Sequence, residues 1–189
     1  MNSDVSPVSI WQKMHWSFFV HTQGLIISLS RFQRAMKAGK VVEAKVELLA
    51  AADLMRASGA AMQLAGDFSR EQYQREVRTS MLPPAVGVDN FSGLMSWDHA
   101  SLIQLWRNLR PVFQELPDEL REAHQTFVSA YGMMAGAHRV VCDKFVGSEG
   151  GSIRHVSESA VEVLDRFERS RLSLVDPNNT GQGCPLDPE

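Results

Sequence analysis

His138 and Cys142 stand four residues apart in the segment Ala137-His-Arg-Val-Val-Cys-Asp-Lys-Phe-Val146. On a helix, positions i and i+4 share one face, with Cβ atoms roughly 5–6 Å apart. That offset is comparable to the distance from a haem iron to one of its vinyl groups. An imidazole on this face can ligate iron while the thiol one turn on forms a thioether at the porphyrin edge. A second imidazole, His99, lies upstream with 38 residues between it and His138, so the pattern reads His-x38-His-x3-Cys. His21 falls on the apolar stripe of another helix, and a neutral imidazole there can both donate and accept a proton. Two facing histidines could close a bis-imidazole site across a bundle, where helical proteins build cofactor sites.

Each residue also has a plain structural reading. A histidine on an apolar stripe can be hydrogen-bonded to a carbonyl, His21 can simply pack, and buried cysteine is a common small hydrophobe. If His99 binds iron permanently, no position is open for a co-substrate. If it dissociates, the enzyme is gated.

The elements that must position these groups read as helices throughout. Ser6-Pro7 is a helix start, with serine as N-cap and proline first inside. From there Met14, Phe18, His21, Leu25, Leu29 and Phe32 recur every three or four residues, and the helix ends near Gly39. A second helix runs from about Val41 to Gly66, and Ser69-Arg-Glu-Gln72 opens a shorter third through a capping box. Leu82-Pro-Pro through Asn90 breaks the pattern. A fourth helix begins near Ser96, carries His99, Leu102, Ile103, Trp106 and Leu109 on one face, and is kinked or ended by Pro111. A fifth follows Pro117, with Phe127, Tyr131, Met134, His138, Cys142 and Phe145 inward and Gly147 as its stop. A sixth spans about Ile153 to Arg171. No alternating strand pattern is convincing.

Composition sets the class. A chain of 189 residues makes one domain with a sizeable core. A net charge of −3 offers no basic footprint for nucleic acid. No apolar run reaches the length of a membrane span, and Met1-Asn-Ser-Asp lacks the basic start of a signal peptide. Cys142 in a helix and Cys184 in a polar tail do not suggest a disulfide framework. The expectation is a cytoplasmic protein with no membrane and no nucleic-acid partner.

The His-x38-His-x3-Cys pattern resembles the His-(x)n-His-x-x-x-Cys signature of the c-type-haem 3-methyltyrosine hydroxylases of saframycin-type biosynthesis. These belong with the tryptophan 2,3-dioxygenase-like, haem-dependent aromatic oxygenases. Phe18-Phe-Val-His-Thr-Gln23 looks like the dioxygenases' early Phe-Ile-x-x-His-Gln helix. Met81-Leu-Pro-Pro84 with Phe91-Ser-Gly-Leu-Met-Ser96 resembles their Pro-x-Ser-Gly-Phe-Gln-Ser segment, and Gly147-Ser-Glu-Gly-Gly-Ser152 resembles their glycine-rich loop. The arginine that anchors the substrate carboxylate in the dioxygenases has no counterpart near Trp97-Asp-His-Ala100.

The resemblance implies His99 and His138 as axial iron ligands, Cys142 as the single thioether anchor and His21 as a distal catalytic group. It also points to Gly150, Gly151 and Ser152 as a substrate-binding loop, since backbone N–H groups of such loops receive carboxylates. The expected protein is therefore all-α: about six helices enclosing a haem (iron protoporphyrin IX attached through Cys142). Residues 1–175 form that domain and 176–189 a disordered tail. It would hydroxylate a small aromatic substrate, such as a tyrosine, with O2 or hydrogen peroxide, and form a homo-oligomer by analogy with its superfamily. The alternatives are a haem b dioxygenase opening an indole-type ring, a non-enzymatic bis-His sensor or electron carrier, and a cofactor-free helical module.

Overall fold

The computed structural model describes residues 5–87, 96–146 and 160–179. Helix α1 (Pro7–Lys37) starts where local chemistry dictates: the Ser6 hydroxyl accepts the Ser9 N–H at 3.2 Å, with Pro7 in the first helical position. It stops at Gly39, whose φ of +67° only glycine adopts without strain, and the Lys40 N–H folds back to the Ala35 carbonyl at 2.9 Å. Helix α2 follows (Val41–Ala65). The capping box at Ser69 opens α3 (Arg70–Gln72), which runs through a π-helical segment, Tyr73–Val77, into α4 (Arg78–Ser80). Then come α5 (Trp97–Gln114), α6 (Asp118–Val146) and α7 (Ala160–Val175).

With α3 and α4 taken as one broken helix, the described residues form six helices and no strand. None of these helices is long and apolar enough to cross a membrane.

Three details add to the sequence reading. Pro111 does not end α5, which continues to Gln114. Proline deprives the Arg107 carbonyl of its donor, and both residues are exposed, so water can serve that carbonyl instead. Helix α7 runs past Arg171 to Val175, while residues 153–159 lie outside the described part. Asp176 to Asn179, where the tail was expected to begin, are hydrogen-bonded: the Asp176 N–H donates to Leu172, and the Asn178 amide donates to the Gln114 carbonyl at 3.1 Å. Residues 180–189 lie outside the described part.

Helix α1 packs chiefly on α2, α2 on α6, and α7 on α5 and α6. The α2–α6 approach is tight at Gly59, where a Cβ would stand 3.2 Å from the Met134 Cα. The buried side chains form two clusters. The larger gathers Leu25, Leu29, Phe32, Leu48, Met55, Trp106, Phe113, Phe127 and Tyr131. Removing each of these from water contributes about 1.5–3 kcal/mol. The smaller gathers Phe68, Tyr73, Val77, Val141 and Phe145, with Trp11 packed against it. His15 lies on α1, His138 and Cys142 on α6, and His99 in the first turn of α5.

Candidate functional site

His99 is the third residue of α5. The Ser96 cap accepts the His99 backbone N–H itself, at 3.2 Å, so the cap that starts the helix also fixes the histidine's main chain. Beside it, the Gln23 amide donates to Asp98 at 3.5 Å and ties α1 to α5. His138 and Cys142 lie on successive turns of α6, both half-buried over the whole residue. Arg139 pairs with Asp165 through two contacts, 2.8 and 3.0 Å, which fasten α7 to α6 next to His138. Arg139 is thereby committed and is not a free partner for a carboxylate. The end of α6 is held by Gln74 and Arg70, which donate to the Phe145 and Val146 carbonyls.

The electrostatics show what these elements bring together. Burial, the Arg171 charge and His138 together lower the His99 imidazole to about 4. The positive end of the α5 dipole acts in the same direction. Burial, then His15 and Arg171, lower His138 to about 4. Burial pushes the Cys142 thiol up to about 11. The titrating ends are thus desolvated even though parts of both α6 residues reach the surface. Cys142 also acts on Tyr73, whose phenol is raised mainly by burial. At neutral pH the site holds two neutral imidazoles from different helices and a protonated, free thiol.

Two residues join this group that the sequence did not single out. His15 is desolvated, with Nδ1 at 2.8 Å from the Trp11 carbonyl, and it is the first charged group to act on His138. Arg171, on α7, acts on His99, His138 and Tyr131. Its guanidinium lies 4.6 Å from the Phe167 ring centre, and burial lowers its pKa.

His21 is half-buried on α1, and its buried Nδ1 lacks a hydrogen-bond partner among the described residues. It is not among the groups acting on His99 or His138. Gly150, Gly151 and Ser152 lie outside the described residues. Trp106 and Tyr131 are buried in an edge-to-face pair at 5.6 Å, whereas Trp16 and Trp97 are 72% and 89% exposed and cannot wall an internal pocket of the single chain. His124 is structural: it donates to the Val175 carbonyl and stacks on Phe113.

These residues suit an iron porphyrin. Metal binding needs neutral imidazoles, and both are held neutral. The thiol that would bond a vinyl group is unpaired and on the same face as His138. The indole N–H of Trp106 and Nδ1 of His21 are buried without a hydrogen-bond partner among the described residues. No group of three metal-binding side chains stands among the described residues. By contrast, a groove of about 520 Å³ lined by Arg31, Arg34, Lys40, Glu43 and Glu47 begins about 24 Å along α1 from His15 and contains no histidine or cysteine.

Comparison with known proteins gives a consistent direction. The SfmD 3-methyl-L-tyrosine peroxygenase family matches residues 2–123. A curated 3-methyl-L-tyrosine peroxygenase of Streptomyces lavendulae is 32% identical over 179 residues, which cover 93% of this chain and 49% of that protein. The stretch is too long to leave out His99, His138 or Cys142. The chain spans about half the length of that relative. No solved structure matches.

Proposed function

The chain belongs to the SfmD 3-methyl-L-tyrosine peroxygenase family, and on that premise we propose that it is a histidine-ligated haem oxidoreductase hydroxylating a tyrosine-like aromatic amino acid. The observation that carries this reading is that His99, on α5, and His138, on α6, are both desolvated and held neutral, His138 being one of the groups that act on His99, with Cys142 one turn along from His138. In it, His138 and His99 hold the iron and Cys142 makes the single thioether. When bound, the haem supplies oxidising power toward hydrogen peroxide or O2.

The chain's own residues do the rest. Desolvation keeps both imidazoles unprotonated and available to metal at neutral pH. His99, in the first turn of α5 where a serine cap holds its main chain, would be the more easily released of the two residues that would hold the group. His21, whose buried Nδ1 has no partner among the described residues, would take or give a proton. The Gly150, Gly151 and Ser152 backbone receives the substrate carboxylate. The aromatic pair Trp106 and Tyr131, buried in the main core, helps to exclude water from the interior. A homo-oligomer is supported by Trp16, Val20 and Ile27, exposed along one stripe of α1.

A second reading, a bis-His electron carrier or sensor, is favoured by the same pair of neutral imidazoles. The two separate on turnover. Freshly purified protein should be red, its intact mass raised by one porphyrin, with a haemochrome spectrum showing one vinyl consumed. Cys142→Ser should release the pigment into acid–acetone while keeping a histidine-ligated spectrum. Hydrogen peroxide with 3-methyl-L-tyrosine should then give a product one oxygen heavier. Bleaching without product would favour the carrier, and a colourless protein of unmodified mass would end both.

A further inference from the structure

Only Glu115, Leu116 and Pro117 separate α5 from α6, so the two helices double back on one another as a hairpin. The aromatic rings that meet across this pair keep a single antiparallel register. Phe113 stacks on His124 at 4.8 Å, and Trp106 meets Tyr131 edge-to-face at 5.6 Å. The second contact is one heptad from the first on both helices, so these positions line the facing sides. One further heptad, about 10.5 Å along each axis, arrives at His99 on α5 and at His138 on α6. The Trp106–Tyr131 pair is therefore the first rung inward from the proposed haem ligands. Trp106 is 2% exposed, and its indole N–H has no hydrogen-bond partner among the described residues. Tyr131 is equally buried, and its hydroxyl donates to the Glu168 carbonyl at 3.4 Å. On the next rung, Phe113 and His124 offer no ring that gives up an electron readily.

We propose that Trp106 is an internal electron donor to the haem, held one heptad from its ligands to take up an oxidising equivalent that no aromatic substrate has consumed. The inference rests on the haem reading above. Breaking the O–O bond of hydrogen peroxide at the metal takes two electrons, one from the iron and one from the Trp106 indole. One peroxide oxygen leaves as water with both peroxide protons, and the other stays at the metal. The indole gives up its electron and keeps its N–H, because no acceptor stands beside it among the described residues. A phenol releases its proton when it is oxidised, and the Glu168 carbonyl facing Tyr131 cannot take one. The electron therefore comes from Trp106 and not from its partner. Burial shields the resulting radical cation from solvent.

The test adds hydrogen peroxide to haem-loaded protein without aromatic substrate and freezes the mixture for paramagnetic resonance. Wild type should give an organic-radical signal that narrows when the protein is made with ring-deuterated tryptophan. Trp106→Phe should lose that signal and bleach its haem faster, while Tyr131→Phe should keep it. A triple variant, Trp11→Phe with Trp16→Phe and Trp97→Phe, leaves Trp106 as the sole tryptophan and should also keep it. That variant decides the matter if Trp106→Phe cannot hold haem. Haem-loaded wild type that consumes peroxide without a radical overturns the role and leaves the haem reading standing. So does a signal that fails to narrow, one that survives Trp106→Phe, or one that is lost from the triple variant. A wild-type protein without porphyrin removes the haem reading itself, and this role with it.

Discussion

The two proposed iron ligands sit in unequal surroundings, and that inequality separates their roles. His138 lies about two turns inside the C-terminal end of the 29-residue helix α6, with the Arg139–Asp165 pair beside it and Cys142 one turn on. His99 is in the first turn of α5, where its main chain depends on a single serine cap. Such a cap contributes about 1 kcal/mol, so the end of α5 yields more readily than the interior of α6. His138→Ala is therefore expected to cut haem content at least about ten-fold. His99→Ala should retain haem, convert the spectrum to a high-spin five-coordinate form and react faster with peroxide. Absorbance and haemochrome measurements on both variants check this. Equal haem loss in the two would show that neither ligand is the releasable one.

At the scale of elements, the α2–α6 contact governs how α6 presents its histidine. Gly59 lets the helices approach so closely that an added Cβ meets the Met134 main chain at 3.2 Å, one turn before His138. Gly59→Val should push α6 outward and cost about 1–3 kcal/mol by overpacking, read as a lower urea midpoint. Haem retention should fall with it. An unchanged midpoint would mean that α6 moves freely there and does not hold His138 rigidly. Helix boundaries were legible because their signals are local: Ser6-Pro7, the Ser69–Gln72 box and Ser96 each satisfy orphan N–H groups within a few residues. The inward register of α1 was less legible. Its buried line runs through Thr22, Leu25, Leu29 and Phe32, and extends back through Phe18 to His15 and Trp11. Thr22 hides that line from a hydropathy reading, because its hydroxyl is satisfied by the Phe18 carbonyl at 2.9 Å and so can be buried. Read with Thr22 as apolar, the alternation of four and three places His15 inward. Arg171 had no such signal. Its place beside the histidines depends on how α7 packs on α5 and α6, which no local pattern encodes.

For the whole molecule, the desolvated titratable groups set a stability window in pH. Four imidazoles, those of His15, His99, His124 and His138, are lowered from 6.5, each first by burial. The folded chain keeps them neutral where the unfolded chain takes up protons, so the unfolded state binds more protons below about 6.5. Their contribution is fully present above that pH. It is lost as pH falls, and for His99 and His138 the loss continues to about 4. At the alkaline end the sign reverses. Cys142 is raised from 9 to about 11, and Tyr73 and Tyr131 are raised from 10, so the unfolded state gives up protons first and stability declines above about 9. In cofactor-free protein the guanidinium unfolding midpoint should therefore be highest near pH 7.5 and lower at both 4.5 and 10. A double variant, His99→Leu with His138→Leu, should reduce the acid limb, leaving His15 and His124 to carry the rest of it, and leave the alkaline limb unchanged. If both limbs persisted unchanged, His99 and His138 would be solvated in the folded chain.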